Sequence, residues 1–141
     1  INNELKIEAK SKLQKINTFK KFEKEINKLR KKLLYFLNEK KNKGKSVHGY
    51  GASTKGNVLL QYFDIGNDLV KYIAERNKNK FNLYTPGSKI KIISEKYSRA
   101  LKPDFYLVLP WHFKREILMR ERKIREKGTQ FIFPLPKLKI L

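Results

Sequence analysis

Apolar residues recur at Leu5, Ala9, Leu13, Ile16, Phe19, Phe22, Ile26, Leu29, Leu33 and Phe36–Leu37, in steps of three or four. That spacing makes one stripe along an α-helix, because 3.6 residues per turn bring such positions onto one face. Thr18 is a candidate N-cap inside the stripe, so the segment reads as one long helix or two. Asn42-Lys43-Gly44-Lys45 is the stop signal, with lysines set against the negative end of the helix dipole. Residues 1–45 are expected to form a basic helical segment that packs on the domain formed by residues 46–141.

From residue 46 the pattern changes to short apolar runs alternating with amphipathic stretches. Ser46–Tyr50, Leu69–Ala74, Lys89–Ile93, Asp104–Leu109 and Thr129–Phe133 read as strands. Lys55–Phe63, Glu95–Leu101 and Trp111–Lys127 read as helices, and Glu75–Gly87 as a polar loop. The run at Asp104–Leu109 is apolar on both faces, which belongs in the middle of a sheet covered on both sides. Pro103 ends the helix before it, Gly128 closes the last helix, and Pro134 and Pro136 end regular structure. Strand–helix alternation calls for right-handed βαβ units. The expected fold class is therefore α/β: residues 46–141 form a Rossmann-like open parallel sheet of about five strands, order 3-2-1-4-5. Helices flank it, and the long N-terminal helix precedes it.

The chain has 141 residues, one domain's worth of core, and carries 34 basic against 13 acidic residues for a net charge of +21. Only seven of the basic residues are Arg, and Asn and Ile are abundant, the bias of AT-rich coding. Residues 1–45 hold 15 basic and 5 acidic residues, and residues 46–141 hold 19 and 8. A charge spread over both parts favours a solvated surface over a dedicated nucleic-acid stripe. No recognition signature for RNA or DNA accompanies it, so a nucleic-acid-binding module stays an alternative, with nucleic acid an unlikely partner. With no cysteine and only His48 and His112, disulfides, thiolate metal sites and a metal centre are not expected. The apolar runs are too short to span a membrane. The first 25 residues are charged throughout, unlike a secretory leader. A cytoplasmic location is expected, and Ile1 in place of Met implies a fragment or a processed chain.

The most informative stretch is Gly49-Tyr-Gly-Ala-Ser-Thr-Lys-Gly56, between the first expected strand and its helix. Such a turn followed by helix N–H groups suits an anion, and Lys55 adds a full charge. It matches neither familiar phosphate motif. A dinucleotide fingerprint has a third glycine where this chain has Thr54, and a Walker loop has Gly-Lys before Ser or Thr. Glu75, at the end of the second strand, stands where dinucleotide folds place a ribose-binding acid. A dinucleotide-binding oxidoreductase domain is thus a further alternative.

Gly49-Tyr-Gly-Ala-Ser-Thr-Lys-Gly-Asn-Val-Leu-Leu60 resembles the signature of the C-terminal domain of SAM-dependent sugar C-methyltransferases. Tyr84-Thr-Pro-Gly-Ser-Lys-Ile90 is similar to that family's Pro-Gly-Thr loop. Pro103-Asp-Phe-Tyr-Leu-Val-Leu-Pro-Trp111 with Phe113, Glu116 and Ile117, and then Gly128-Thr-Gln-Phe-Ile-Phe-Pro-Leu-Pro136, come in the same order as in the family. His112 replaces the usual Asn, Glu75 the usual Asp, and Phe81-Asn82 a Gln-Gly pair. The resemblance implies enzymes that methylate a ring carbon of nucleotide-linked deoxysugars. It implies zinc and S-adenosylmethionine in upstream domains, with this domain contributing to the sugar-nucleotide cleft and to packing against the SAM-binding domain. No cofactor and no catalytic residue is expected in the chain itself.

In open parallel sheets, ligands sit at the carboxyl ends of strands where the winding reverses. That crevice lies between the turns after the first and fourth strands. Substrate-binding candidates are Tyr50, Ser53 and Lys55 on one side and Trp111 and His112 on the other. Lys55 is the expected main cation, binding phosphate or contacting a neighbouring domain. Ser53 donates to phosphate or caps its helix, and Tyr50 stacks on a base or packs. Trp111 forms a ligand platform or belongs to the core or an interface, and His112 hydrogen-bonds a sugar or is exposed. His48 reads as a packed histidine. Arg115, Arg120, Arg122 and Arg125 read as a solvated helix face, paired at i,i+4 with Glu116, Glu121 and Glu126.

Overall fold

The computed structural model describes residues 2–13 and 15–141. The N-terminal stripe is two helices, α1 (Asn2–Lys10) and α2 (Ile16–Asn42). Thr18 does not cap α2; the cap position is Lys15, and the Thr18 hydroxyl donates to the Lys12 carbonyl at 2.8 Å. At the other end Lys45 N–H reaches the Lys40 carbonyl and Gly44 N–H the Lys41 carbonyl, with Gly44 at φ +69. This crossed pair of bonds turns the chain out of the helix.

The sheet has six strands: β1 (Val47–Tyr50), β2 (Ile73–Glu75), β3 (Ile92–Ser94), β4 (Phe105–Val108), β5 (Gln130–Phe133) and β6 (Lys139–Ile140). Their order is β3-β2-β1-β4-β5-β6, parallel through β5, with β6 antiparallel to β5. The fold is α/β, as expected, and the winding reverses between β1 and β4. Four helices complete it: α3 (Thr54–Phe63), α4 (Glu95–Ala100), α5 (Lys114–Arg120) and α6 (Arg122–Arg125).

Alternate residues of β4 feed opposite faces, which is why it reads as apolar throughout. Phe105 and Leu107 join a core of Leu33, Leu37, Leu60, Phe63, Ile73 and Ile132, under α2 and α3. Tyr106 and Val108 join Tyr50, Ile117, Phe131 and Phe133 on the other side, under α5 and α6. Leu33 and Leu37, one turn apart, are fully buried. Each is worth about 2 kcal/mol of transferred apolar surface. Phe36 meets Phe105 edge-on at 5.4 Å. From Ile26 onward α2 packs on the core, whereas Ile16, Phe19 and Phe22 are exposed.

Four sequence expectations are corrected. Leu69 and Val70 are not strand; their N–H groups return to the Gly66 carbonyl in a turn, and both are apolar because they are buried against the core. The third strand is shifted to Ile92–Ser94, while Lys91 pairs antiparallel with Tyr84. The helix expected over Trp111–Lys127 is a 3₁₀ turn at Trp111–Phe113 followed by α5 and α6, interrupted at Glu121. Regular structure also resumes after Pro136, as β6.

Candidate functional site

A cleft of about 560 Å³ opens at the carboxyl ends of β1 and β4, at the reversal of winding. Its walls include Tyr50, Ser53, Arg76, Lys80, Phe113 and Arg120. Of the five sequence candidates it contains Tyr50 and Ser53.

The Gly-rich turn is built by packing. Gly51 stands at φ +80, and a Cβ there would lie 2.9 Å from the Pro110 ring. At Gly56 a Cβ would overlap the Cβ of Leu109. Both glycines therefore let the turn and the first turn of α3 lie against the end of β4. Ser53 caps α3, its hydroxyl oxygen accepting from Gly56 N–H at 3.1 Å. The carboxylate of Glu75 accepts three backbone N–H bonds: Ala52 at 2.8 Å, Arg76 at 2.7 Å and Asn77 at 2.9 Å. Lys80 Nζ donates to the Ala52 carbonyl at 2.8 Å and lies 3.9 Å from Glu75. Glu75, which stands where dinucleotide folds place a ribose-binding acid, thus clamps the turn to the end of β2. Among the described residues no group of three His, Asp or Glu is arranged to hold a metal.

Below the cleft lies an ion-pair layer. Tyr50 is only 3% exposed and its hydroxyl donates to Glu121 at 2.6 Å. Its ring meets Tyr106 and Phe131 edge-on, and the Arg120 guanidinium sits 5.4 Å from its centre. The ring therefore has no face for a base, and only the edge of Tyr50 borders the cleft. Arg99 donates to Glu121 at 2.6 Å and 3.1 Å and to Glu95 at 2.9 Å. Arg120 donates to the Tyr50 hydroxyl, to Glu95 at 2.6 Å and to Glu121 at 3.2 Å. Burial opposes the charge of Glu121, but the bonds from Arg99 and Tyr50 outweigh it and hold its carboxyl below the ordinary range. Burial, reinforced by Glu121, pushes the Tyr50 phenol well up. The arginine face is thus read differently from the sequence expectation. Arg122 does pair with Glu126 at i,i+4, but Glu121 is buried and Arg120 reaches across to Glu95.

Deeper still, His48 Nδ1 lies 2.8 Å from the Ser98 hydroxyl, which lies 2.8 Å from the Tyr106 hydroxyl. Burial lowers the His48 pKa to about 4, so the ring is neutral and packed, as expected.

Lys55 and Trp111 are not in the cleft, contrary to the expected crevice. They border an apolar groove of about 330 Å³ between α2 and α3, with Phe22, Val58, Tyr62 and Leu135. Lys55 is in the first turn of α3, on the side of that groove. Phe22 is 65% exposed and Val58 64%. His112 is exposed, its ring 4.2 Å from that of Phe113. The cleft is also lined by Arg76, Lys80, Glu95, Glu116 and Arg120, which sequence reasoning did not offer as site candidates. Arg76 follows Glu75 at the carboxyl end of β2, one strand away from the reversal of winding, and no motif marks it.

The fold is an α/β domain with a cleft at the carboxyl ends of β1 and β4, where the winding reverses. The family described as the C-methyltransferase C-terminal domain matches residues 1–136, and the chain belongs to it. A relative is the C-methyltransferase NovU of Streptomyces niveus, 36% identical over 98 residues. That match covers 70% of this chain and 23% of the relative. The chain thus spans about a quarter of that enzyme's length. Among the described residues no helix is long and apolar enough to cross a membrane.

Proposed function

We propose that this domain serves a SAM-dependent C-methyltransferase of the cytoplasm that acts on a nucleotide-linked deoxysugar. In this reading the cleft receives the sugar nucleotide and the groove beside α2 packs against the SAM-binding domain. Methyl transfer, S-adenosylmethionine and zinc belong to the parts of the enzyme outside this chain.

The observation that carries the reading is the composition of the cleft. Arg76 is exposed at its rim and makes no ion pair among the described residues. Across from it Phe113 is 52% exposed, an apolar face for a base or sugar ring. A diphosphate at Arg76 with a ring on Phe113 uses two of the groups left over once Glu75, Ser53 and Tyr50 are committed to the fold, and the Glu116 carboxylate in the same wall is left to a sugar hydroxyl. Lys55 and Trp111, in the groove, take the domain-contact role. Support for a larger partner comes from the relative, most of whose chain lies outside the match.

The test is titration of a nucleoside diphosphate sugar into the whole enzyme carrying this domain. One charge-assisted contact is worth about 1.5–3 kcal/mol. Arg76→Ala is therefore expected to raise the dissociation constant roughly 10- to 150-fold, with SAM affinity unchanged and Lys55→Ala without effect on the sugar nucleotide. Unchanged affinity in Arg76→Ala overturns the assignment of the cleft.

A further inference from the structure

A second cavity, of about 690 Å³, lies beneath the ion-pair layer, by the amino ends of β4 and β5. It is larger than the cleft, and Arg120 and the Glu121 layer separate the two. Its lining includes the cations Arg99, Lys102, Lys123 and Lys127 and an apolar floor of Pro103, Tyr106 and Ile124. Among the described residues the acids of its lining are Asp104 and Glu121. Both are engaged. Asp104 accepts from the Ser46 N–H at 2.8 Å, the Ser46 hydroxyl at 3.0 Å and Lys45 at 2.9 Å. Glu121 is held by Tyr50, Arg99 and Arg120.

Lys102, Lys123 and Lys127 are exposed at the mouth, and none has a carboxylate within ion-pair distance among the described residues. Lys123 stands on α6 and Lys127 in the turn that follows it, and both line the cavity. Lys102 joins them in the lining from just past the end of α4, at φ +50. A concave, partly apolar wall focuses the field of such a cluster instead of letting solvent disperse it. The volume is in the range of sites that enclose a small molecule.

We propose that this cavity is an anion site for a small molecule bearing two or more linked phosphates, distinct from the cleft and independent of the function proposed for it. Lys102, Lys123 and Lys127 would ring the phosphates, with Arg99 fixing the depth of the pocket through its bonds to Glu95 and Glu121.

The probes are inorganic pyrophosphate, ADP and a single-stranded oligo-uridine, titrated into the 141-residue chain at low salt. Backbone amide shifts report the location and calorimetry the affinity. Pyrophosphate is expected to move the signals of Lys102, Gly128 and Thr129 at saturation with one equivalent. Tighter binding of ADP assigns the site to nucleotides, and equal binding assigns it to free pyrophosphate; both support the site. The triple variant Lys102→Gln, Lys123→Gln, Lys127→Gln is expected to lose at least about tenfold in pyrophosphate affinity. A control triple, Lys20→Gln, Lys24→Gln, Lys31→Gln on α2, changes net charge equally and is expected to lose less than twofold. Equal losses in the two triples overturn the proposal. So does binding of oligo-uridine without any pyrophosphate shift at these amides, which would mean a diffuse nucleic-acid surface.

Discussion

The Tyr50 hydroxyl donates to the Glu121 carboxylate at 2.6 Å, tying the end of β1 to the break between α5 and α6. Glu121 is 3% exposed and also holds two arginines. Removing one member of a buried ion pair leaves the others uncompensated, which costs about 3–5 kcal/mol when fully buried. Arg99 and Arg120 are about one-third exposed, so water relieves part of that. Glu121→Gln is expected to destabilise the domain by about 2–3 kcal/mol in urea denaturation. Arg122→Gln, which breaks the exposed pair with Glu126, is expected to cost under about 0.5 kcal/mol.

Gly56 lies inside a helix, where glycine to alanine ordinarily stabilises by about 0.5–1 kcal/mol. Here the new methyl would overlap Leu109. Gly56→Ala is therefore expected to destabilise, by about 1–3 kcal/mol of overpacking. The sign of the change in melting temperature checks it.

His48 makes stability depend on pH. Burial lowers its pKa from 6.5 to about 4, so the unfolded chain binds the proton more readily than the folded one between those values. Stability therefore rises with pH across that window and is lost as pH falls through it. Between pH 7 and pH 5 the loss is about 2 kcal/mol. Denaturation curves of the native chain are expected to show that loss, and those of His48→Gln to be nearly flat over the same interval.

Val58 is exposed on α3 at the mouth of the apolar groove. Val58→Glu is expected to change the stability of the isolated chain by less than about 0.5 kcal/mol. In the whole enzyme the same substitution is expected to weaken packing between domains, read as increased protease cleavage ahead of α2. Equal cleavage of variant and native enzyme counts against the groove as a domain contact.

The strand order was legible because strands and helices alternate and Leu107 and Tyr106 both had to be buried. The displaced β2 was not, because Leu69 and Val70 are as apolar as strand residues while serving a turn. Pro134 and Pro136 hid β6. The break at Glu121 was invisible because a Glu amid arginines reads as solvated, and only the fold brings Tyr50 and Arg99 to it. For the site, two of the residues the sequence offered, Tyr50 and Ser53, line the cleft at the carboxyl ends of β1 and β4. Sequence reasoning placed Lys55 in that crevice because a helix start was expected to face the reversal of winding, whereas the first turn of α3 sets that position on the side of the apolar groove. Arg76 carried no motif, and proximity to Glu75 was its only signal.

The two margins of the sheet are closed to strand addition. At one, β3 is shielded by the chain before it: Ile92 N–H donates to the Leu83 carbonyl and Asn82 N–H to the Ile92 carbonyl. At the other, the outermost strand is the two-residue β6, carrying Lys139, and the terminal Leu141 trades both hydrogen bonds with Phe131. Short, charged or covered margins offer no free ladder to another chain. The ribbon after Pro136 thus acts as a guard against fibrillar stacking, which a parallel sheet with strands as apolar as β4 and β5 would otherwise invite.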